Sequence, residues 1–180
     1  GTGVGGGIVI DGELYYGHFH TAGEIGHMVV NAGGMLGGRT LENVASRTAI
    51  VNKLVQLIQS NHPSVIPKLT GGDLTGIRSK VLSQAQAADD ALTLRVLREA
   101  AEVLGANIAS VVTLLSLERV VVGGGLTEAL DSRWIKWIRS AFQKDVFPDV
   151  CKQCKVLESA LDDDAGLLGA ALLAREKAAT

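Results

Sequence analysis

The organisation of this chain turns on its first twelve residues, Gly1-Thr2-Gly3-Val4-Gly5-Gly6-Gly7-Ile8-Val9-Ile10-Asp11-Gly12. Five of the first seven are glycine. Successive backbone N–H groups are therefore presented with no Cβ in the way, a nest suited to phosphate oxygens, and Thr2 adds a hydroxyl. Ile8–Ile10 is a β-branched run, and Asp11-Gly12 is a turn dipeptide with strand-like residues on both sides, which predicts a hairpin. The first six residues satisfy G-x-G-x-x-G literally, but that dinucleotide fingerprint requires a helix after the loop, and here a strand follows. No Gly-Lys-Ser/Thr completes a Walker loop. The His-Arg-Asp and Asp-Phe-Gly elements of protein kinases are missing as well. On the loop alone, a phosphate nest and an unliganded glycine-rich hairpin are both open readings.

Beyond the hairpin, residues 16–27 read as a polar, glycine-bearing loop, 28–30 as a third short strand and 31–39 as a second glycine-rich loop. From Thr40, Leu41 and Val44, and then Ile50, Leu54, Leu57 and Ile58, predict a helical segment by their three- and four-residue intervals within each group. Pro63 and Pro67 end it. Residues 73–86 are a weaker helical segment. Asp89 and Asp90 start the longest helix, to about Leu115, with Leu97, Ala101, Leu104, Ile108, Val111 and Leu115 as one apolar stripe. Arg119–Val122 reads as a compact buried strand running directly into Gly123-Gly124-Gly125. A helix over about 128–143, a strand at Lys155–Glu158 and a helix over 165–177 complete the chain. Strands in a hairpin, then strands alternating with helices, imply an α/β fold with a mixed sheet flanked by helices.

The 180 residues are 47% hydrophobic and 20% charged, with a formal net charge of −2. That composition belongs to a globular chain with a sizeable core, not to a disordered one. Near-neutral charge without a Lys/Arg cluster leaves no electrostatic footprint for nucleic acid. Apolar stretches such as 165–174 are about half of what a membrane span needs. Cys151 and Cys154 make no disulfide framework, which points to a reducing, cytoplasmic compartment. No secretory signal is visible, and a start at Gly1 without Met leads us to expect a part upstream.

The glycine loop is one of several motifs in a fixed order. It is followed by Thr21-Ala22-Gly23-Glu24-Ile25-Gly26-His27-Met28 and by Thr40-Leu41-Glu42-Asn43-Val44-Ala45-Ser46. Later come Val120-Val121-Val122-Gly123-Gly124-Gly125-Leu126 and Asp164-Ala165-Gly166-Leu167-Leu168-Gly169-Ala170-Ala171. In this order and spacing the chain resembles the ROK family of repressors and sugar kinases, especially its bacterial glucokinases, over nearly its whole length. The resemblance implies an actin-like, ribonuclease-H-like ATPase fold in which two α/β domains close on ATP and a sugar. Residues 1–180 would be the large C-terminal domain, and 165–180 the helix that returns to an absent small N-terminal domain.

The resemblance also implies roles. Gly1, Thr2, Gly3, Gly5 and Gly6 would belong to the second phosphate loop, and Gly123, Gly124 and Gly125 would lie beside the adenosine. Glu24, His27 and Glu42 match the family's sugar-contacting positions. Their chemistry suits a sugar, since a carboxylate accepts from two adjacent hydroxyls and an imidazole donates or accepts one bond. Polar groups built for sugar hydroxyls reject analogues that leave them unsatisfied. Without the resemblance, Glu42 reads as a solvated first-turn helix residue favoured by the dipole, and His27 as a loop histidine bonded to backbone.

Two departures from the family pattern matter. Many members hold zinc with the matching histidine and three cysteines in Cys-x-Cys-x4-Cys. Residues 31–39 contain no cysteine, so no zinc is expected at His27 and no metal ligands are assigned. Cys151-x-x-Cys154 lacks a second pair. A structural zinc site usually takes four protein ligands, and completion by His18 and His20 is the remote alternative to two ordinary thiols. The family's Asp-x-Gly-x-Thr phosphate loop, and the Asn-Asp segment whose aspartate is the general base, are also missing, so no catalytic residue is assigned here. Without the small domain, Leu167, Leu168, Ala171 and Leu172 would lose their cover, which predicts a homodimer or other self-association, or docking of the helix elsewhere on the same domain.

These readings converge on the sugar- and nucleotide-binding half of an ATP-dependent hexokinase of glucokinase type. The parent would transfer the γ-phosphoryl group of ATP to a hexose 6-hydroxyl with Mg2+, and the isolated fragment would be inactive. The alternative is the sugar-sensing domain of a ROK repressor with an upstream helix-turn-helix. The retained glycine loops favour the kinase. A binding or scaffolding domain that has lost its chemistry, and polyphosphate as the phosphoryl donor, are further readings. Which sugar is used stays open, because the altered loop 31–39 would flank the sugar pocket.

Overall fold

The structure, a computed structural model, describes residues 2–161 and 164–179. The hairpin forms as the sequence predicts. β1 (Ile8–Ile10) pairs antiparallel with β2 (Glu13–Tyr15) in the register Ile8↔Tyr15, Val9↔Leu14 and Ile10↔Glu13. Asp11 and Gly12 both take positive φ, 52° and 83°, the tight turn whose twist matches that of the strands. Within 16–27, Ile25–His27 forms one 3-10 turn. The strand expected at 28–30 does not form. Val29 makes a single bridge to Thr40, and Met28 and Val30 bond to Leu41 and Arg39. The segment thus finds its partner in the approach to the next helix and has no strand on its other side to extend a ladder.

The helical spacing from Thr40 resolves into two helices, α1 (Leu41–Ala45) and α2 (Arg47–Gln59). Thr40 and Asn43 close a capping box on α1. Ser46 then breaks the helix, with φ −69° and ψ 155°, and its hydroxyl caps α2 by accepting from Ala49 N–H at 3.1 Å. Pro67 does not stop a helix but sits in the first turn of α3 (Ile66–Leu69), where a missing N–H costs nothing. In the weaker segment, Leu74–Gly76 is a 3-10 turn and α4 runs from Ser79 to Ala87.

The long helix α5 (Ala91–Leu115) begins where the two aspartates place it. Buried Asp90 is its cap. One carboxylate accepts from the Thr93 N–H (3.0 Å), the Thr93 hydroxyl (2.6 Å), the Ser64 hydroxyl (3.0 Å) and the Val65 N–H (2.9 Å). Burial alone would raise its pKa, but these donors, Thr93 foremost, outweigh it and hold the carboxyl below the usual carboxylate range. A depressed pKa contributes stability that is present above the unfolded value and lost as pH falls through the folded one. Asp90→Ala is therefore expected to cost about 2 kcal/mol near neutral pH. That difference from wild type should shrink below about pH 4 in acid-titrated thermal melts.

α5 is the spine of the core, contacting α1, α2, α4 and α6 (Ser132–Asp145). Leu97, Ala101, Leu104 and Ile108 of its stripe are buried, while Val111 is half-buried and Leu115 is 37% exposed. Ile135, Ile138 and Phe142 of α6 pack against it. The crossing is tightest at Gly105, where a Cβ would overlap the Ile138 carbonyl oxygen.

β3 (Arg119–Val122) and β4 (Lys155–Glu158) form a parallel ladder, Arg119↔Lys155 to Val122↔Glu158. β3 is less buried than its composition predicts: Val120 and Val122 pack on the core, while Val121 is 59% exposed. The expected single mixed sheet is also corrected. Among the described residues the strands make two separate two-stranded sheets. The reason is local: the glycine loop ahead of β1, not β1 itself, faces β3, and a cleft lies between them. α7 (Asp164–Ala179) closes the chain with Leu167 73% exposed. No helix among the described residues is long and apolar enough to cross a membrane.

Candidate functional site

Three ties fix the glycine loop. Val4 N–H donates to Glu42 Oε2 at 3.0 Å, which binds the loop to α1 across 38 positions of sequence. Gly6 and Gly23 meet backbone to backbone: a Cβ on Gly23, whose φ is +96°, would strike the Gly6 carbonyl. A Cβ on buried Gly26 would overlap the Val4 carbonyl oxygen. The segment 23–27 thus lies directly against the loop. The Leu41 N–H, donating to Met28 O at 3.0 Å, brings the end of that segment to the start of α1.

Behind the loop is a cleft of about 170 Å³. Gly3, Val4 and Gly5 form one wall, Ser46 and Arg47 a second, and Val120–Gly123 with Thr127 a third. A Cβ on Gly5 would meet nothing within 4 Å, so its backbone faces open space. Arg47 is half-buried. Among the described residues no carboxylate lies within ion-pair distance of its guanidinium. Thr127 is buried, and its hydroxyl accepts from Trp134 Nε1 at 3.2 Å. Gly3 and Gly5, which carry no side chain over their N–H groups, and the cationic residue Arg47 line this cleft, a set that suits an anion.

The residues singled out from sequence fall as follows. Gly3 and Gly5 line the cleft, as does Gly123, whose Cβ would press on Ser159. Gly6 sits against Gly23, and Thr2 is exposed. Gly124 N–H donates to Glu128 Oε1 at 3.2 Å, and Gly125 is exposed to open space. Gly1 lies outside the described residues. Glu42 is half-buried, and its Oε2 is engaged by the loop. Glu24 caps the 3-10 turn Ile25–His27 and His27 ends it, both exposed. Among the described residues no three His, Cys, Asp or Glu side chains gather as a metal cluster. Sequence reasoning missed Ser46 and Arg47. The available signal was their position, directly after Leu41–Ala45.

The ROK family model matches residues 1–177. The chain belongs to the ROK family. It is 34% identical to the glucokinase of Halalkalibacterium halodurans, over 98% of this chain and 54% of that protein. The ROK family glucokinase of Streptomyces griseus, solved in complex with glucose and AMPPNP, superposes with a TM-score of 0.84 at 33% identity, over 98% of this chain and 58% of that one. The N-acetylglucosamine repressor of Escherichia coli is similar at 27% identity, over 96% of this chain and 42% of the repressor. This ROK chain thus spans about half the length of the curated relatives it matches.

Proposed function

We propose that this chain is the ligand-binding large domain of an ATP-dependent sugar kinase of glucokinase type, and that its parent phosphorylates a hexose at the 6-hydroxyl. One observation carries the reading: Gly3–Gly5 of the glycine loop and Gly123 of the second glycine segment line one cleft, and the loop is tied to the carboxylate at the sugar-matching position. In this reading Thr2, Gly3 and Gly5 hold the phosphates, and Gly123–Gly125 border the adenosine. Glu24, His27 and the free oxygen of Glu42 pair with sugar hydroxyls. Catalysis of phosphoryl transfer is largely positioning and charge stabilisation, and this chain supplies those two parts. The base that deprotonates the hydroxyl would come from the rest of the parent. The cleft lining contains no carboxylate, so these residues do not fit Mg2+ as ligands, and their chemistry is anion binding.

The full-length parent is expected to transfer phosphate from ATP to glucose in a coupled assay. Failure with glucose, mannose, fructose and N-acetylhexosamines alike would overturn the kinase reading. The similarity to a repressor supports a second reading, sugar sensing, and the sequence upstream of Gly1 decides between them: Asp-x-Gly-x-Thr marks a kinase, a basic helix-turn-helix a repressor.

Arg47 has a defined place in this proposal. Arg47 lines the cleft, its guanidinium has no ion-pair partner among the described residues, and it would bond a phosphate oxygen there. Arg47→Ala in the parent is expected to weaken ATP binding by roughly tenfold or more. Arg47→Lys should recover part of the loss, and glucose affinity should stay as in wild type. Calorimetric titration of each ligand separates these outcomes.

A further inference from the structure

The pair Cys151 and Cys154 takes no part in the cleft, and its geometry gives it a chemistry of its own. Residues Asp149–Gln153 form a short 3-10 helix, whose last turn closes where Cys154 N–H donates to the Cys151 carbonyl at 3.0 Å. At three residues per turn, side chains three apart eclipse one another, so the two thiols share one face. Burial agrees: Cys154 is buried and Cys151 half-buried, both against the hydrophobic core, while Val150, Lys152 and Gln153 are exposed. A turn closed in this way brings its end Cα atoms within about 7 Å, and disulfides span Cα separations of about 4.4–6.8 Å.

We infer that Cys151 and Cys154 are a reversible redox site that closes to an intramolecular disulfide by exchange with a low-molecular-weight disulfide. Cys151, the more exposed, reacts first. It gives up its proton, and its thiolate bonds to one sulfur of the reagent. The reagent's S–S bond breaks, and the departing thiolate takes up a proton. Until then Cys154 stays a thiol, because burial, reinforced by Cys151 and Glu118, pushes its pKa up. It then loses its proton, bonds to Cys151 Sγ and expels the second reagent thiol. Two protein thiols are oxidised, and one reagent disulfide is reduced to two thiols. The site adjoins the β3–β4 ladder: Lys155, next to Cys154, donates its N–H to Glu118 O at 3.0 Å, one residue ahead of β3.

The test uses the full-length protein, treated with oxidised glutathione, blocked with an alkylating reagent and digested with trypsin. Cleavage after Lys144, Lys152 and Lys155 puts the two cysteines on different peptides, 145–152 and 153–155. The expected product is these two peptides joined, lighter than their sum by two hydrogens and separated by dithiothreitol. In Cys154→Ser, position 151 should stop as the glutathione adduct. In Cys151→Ser, adduct on Cys154 should form several-fold less. Recovery of the wild-type peptides only as alkylated thiols, only as glutathione adducts, or linked to other cysteines would overturn the inference.

Discussion

Gly105→Ala is expected to lower the thermal unfolding midpoint of this domain by roughly 5–10 °C, a loss of about 2–3 kcal/mol. At this point α5 lies directly on α6. The added methyl would overlap the Ile138 carbonyl oxygen and sit 2.7 Å from Ala141 Cβ and 3.1 Å from Phe142 N. Two of those three neighbours are main chain, so relief requires the helices to separate, with loss of packing around Leu104 and Ile138. Gly169→Ala is the matched control. It lies in α7, nothing stands within 4 Å of its added methyl, and alanine is the better helix former there. Melts followed by circular dichroism should show Gly105→Ala clearly below wild type and Gly169→Ala at or above it. Equal midpoints for the two variants would mean that the α5–α6 crossing is not as close as described.

Glu42→Ala should reduce kcat/KM for glucose in the parent enzyme by about 100-fold or more. The carboxylate serves the proposed site twice, because one oxygen holds the Val4 N–H and the other is left for a sugar hydroxyl. A hydrogen bond to a charged group contributes about 1.5–3 kcal/mol, so the two losses together reach the stated factor. Glu42→Gln keeps a carbonyl acceptor for the loop but removes the charge, and should fall between alanine and wild type. If Glu42→Ala stays folded and retains wild-type kcat/KM, the carboxylate has no role in sugar phosphorylation.

Much of this is legible in the sequence. Asp11-Gly12 marked the hairpin because both residues tolerate left-handed backbone. Asp90 marked the start of α5 because a carboxylate there can collect the first free N–H groups. The order of glycine motifs marked the family. Other features left no local trace. The break between α1 and α2 sits in one extended residue, Ser46, and its trace in the sequence is only the six-residue step from Val44 to Ile50. The separation of the two sheets depends on which segment faces β3, a matter of three-dimensional approach rather than alternation. The bond from Val4 to Glu42 joins residues 38 apart. Arg47 gains meaning only when α2 brings it to the wall opposite Gly3 and Gly5.

The spine helix also sets an order of events. α5 ties α1, α2, α4 and α6 together, whereas the β1–β2 hairpin meets chiefly itself, and the glycine loop ahead of it is held by one bond to Glu42 and by close packing on Gly23 and Gly26. Helical amides around α5 will thus be among the last to exchange with heavy water, and those of the hairpin and its glycine approach among the first. An occupant of the cleft would slow exchange in that approach before it altered the helices, so the loop itself is the natural reporter of occupancy.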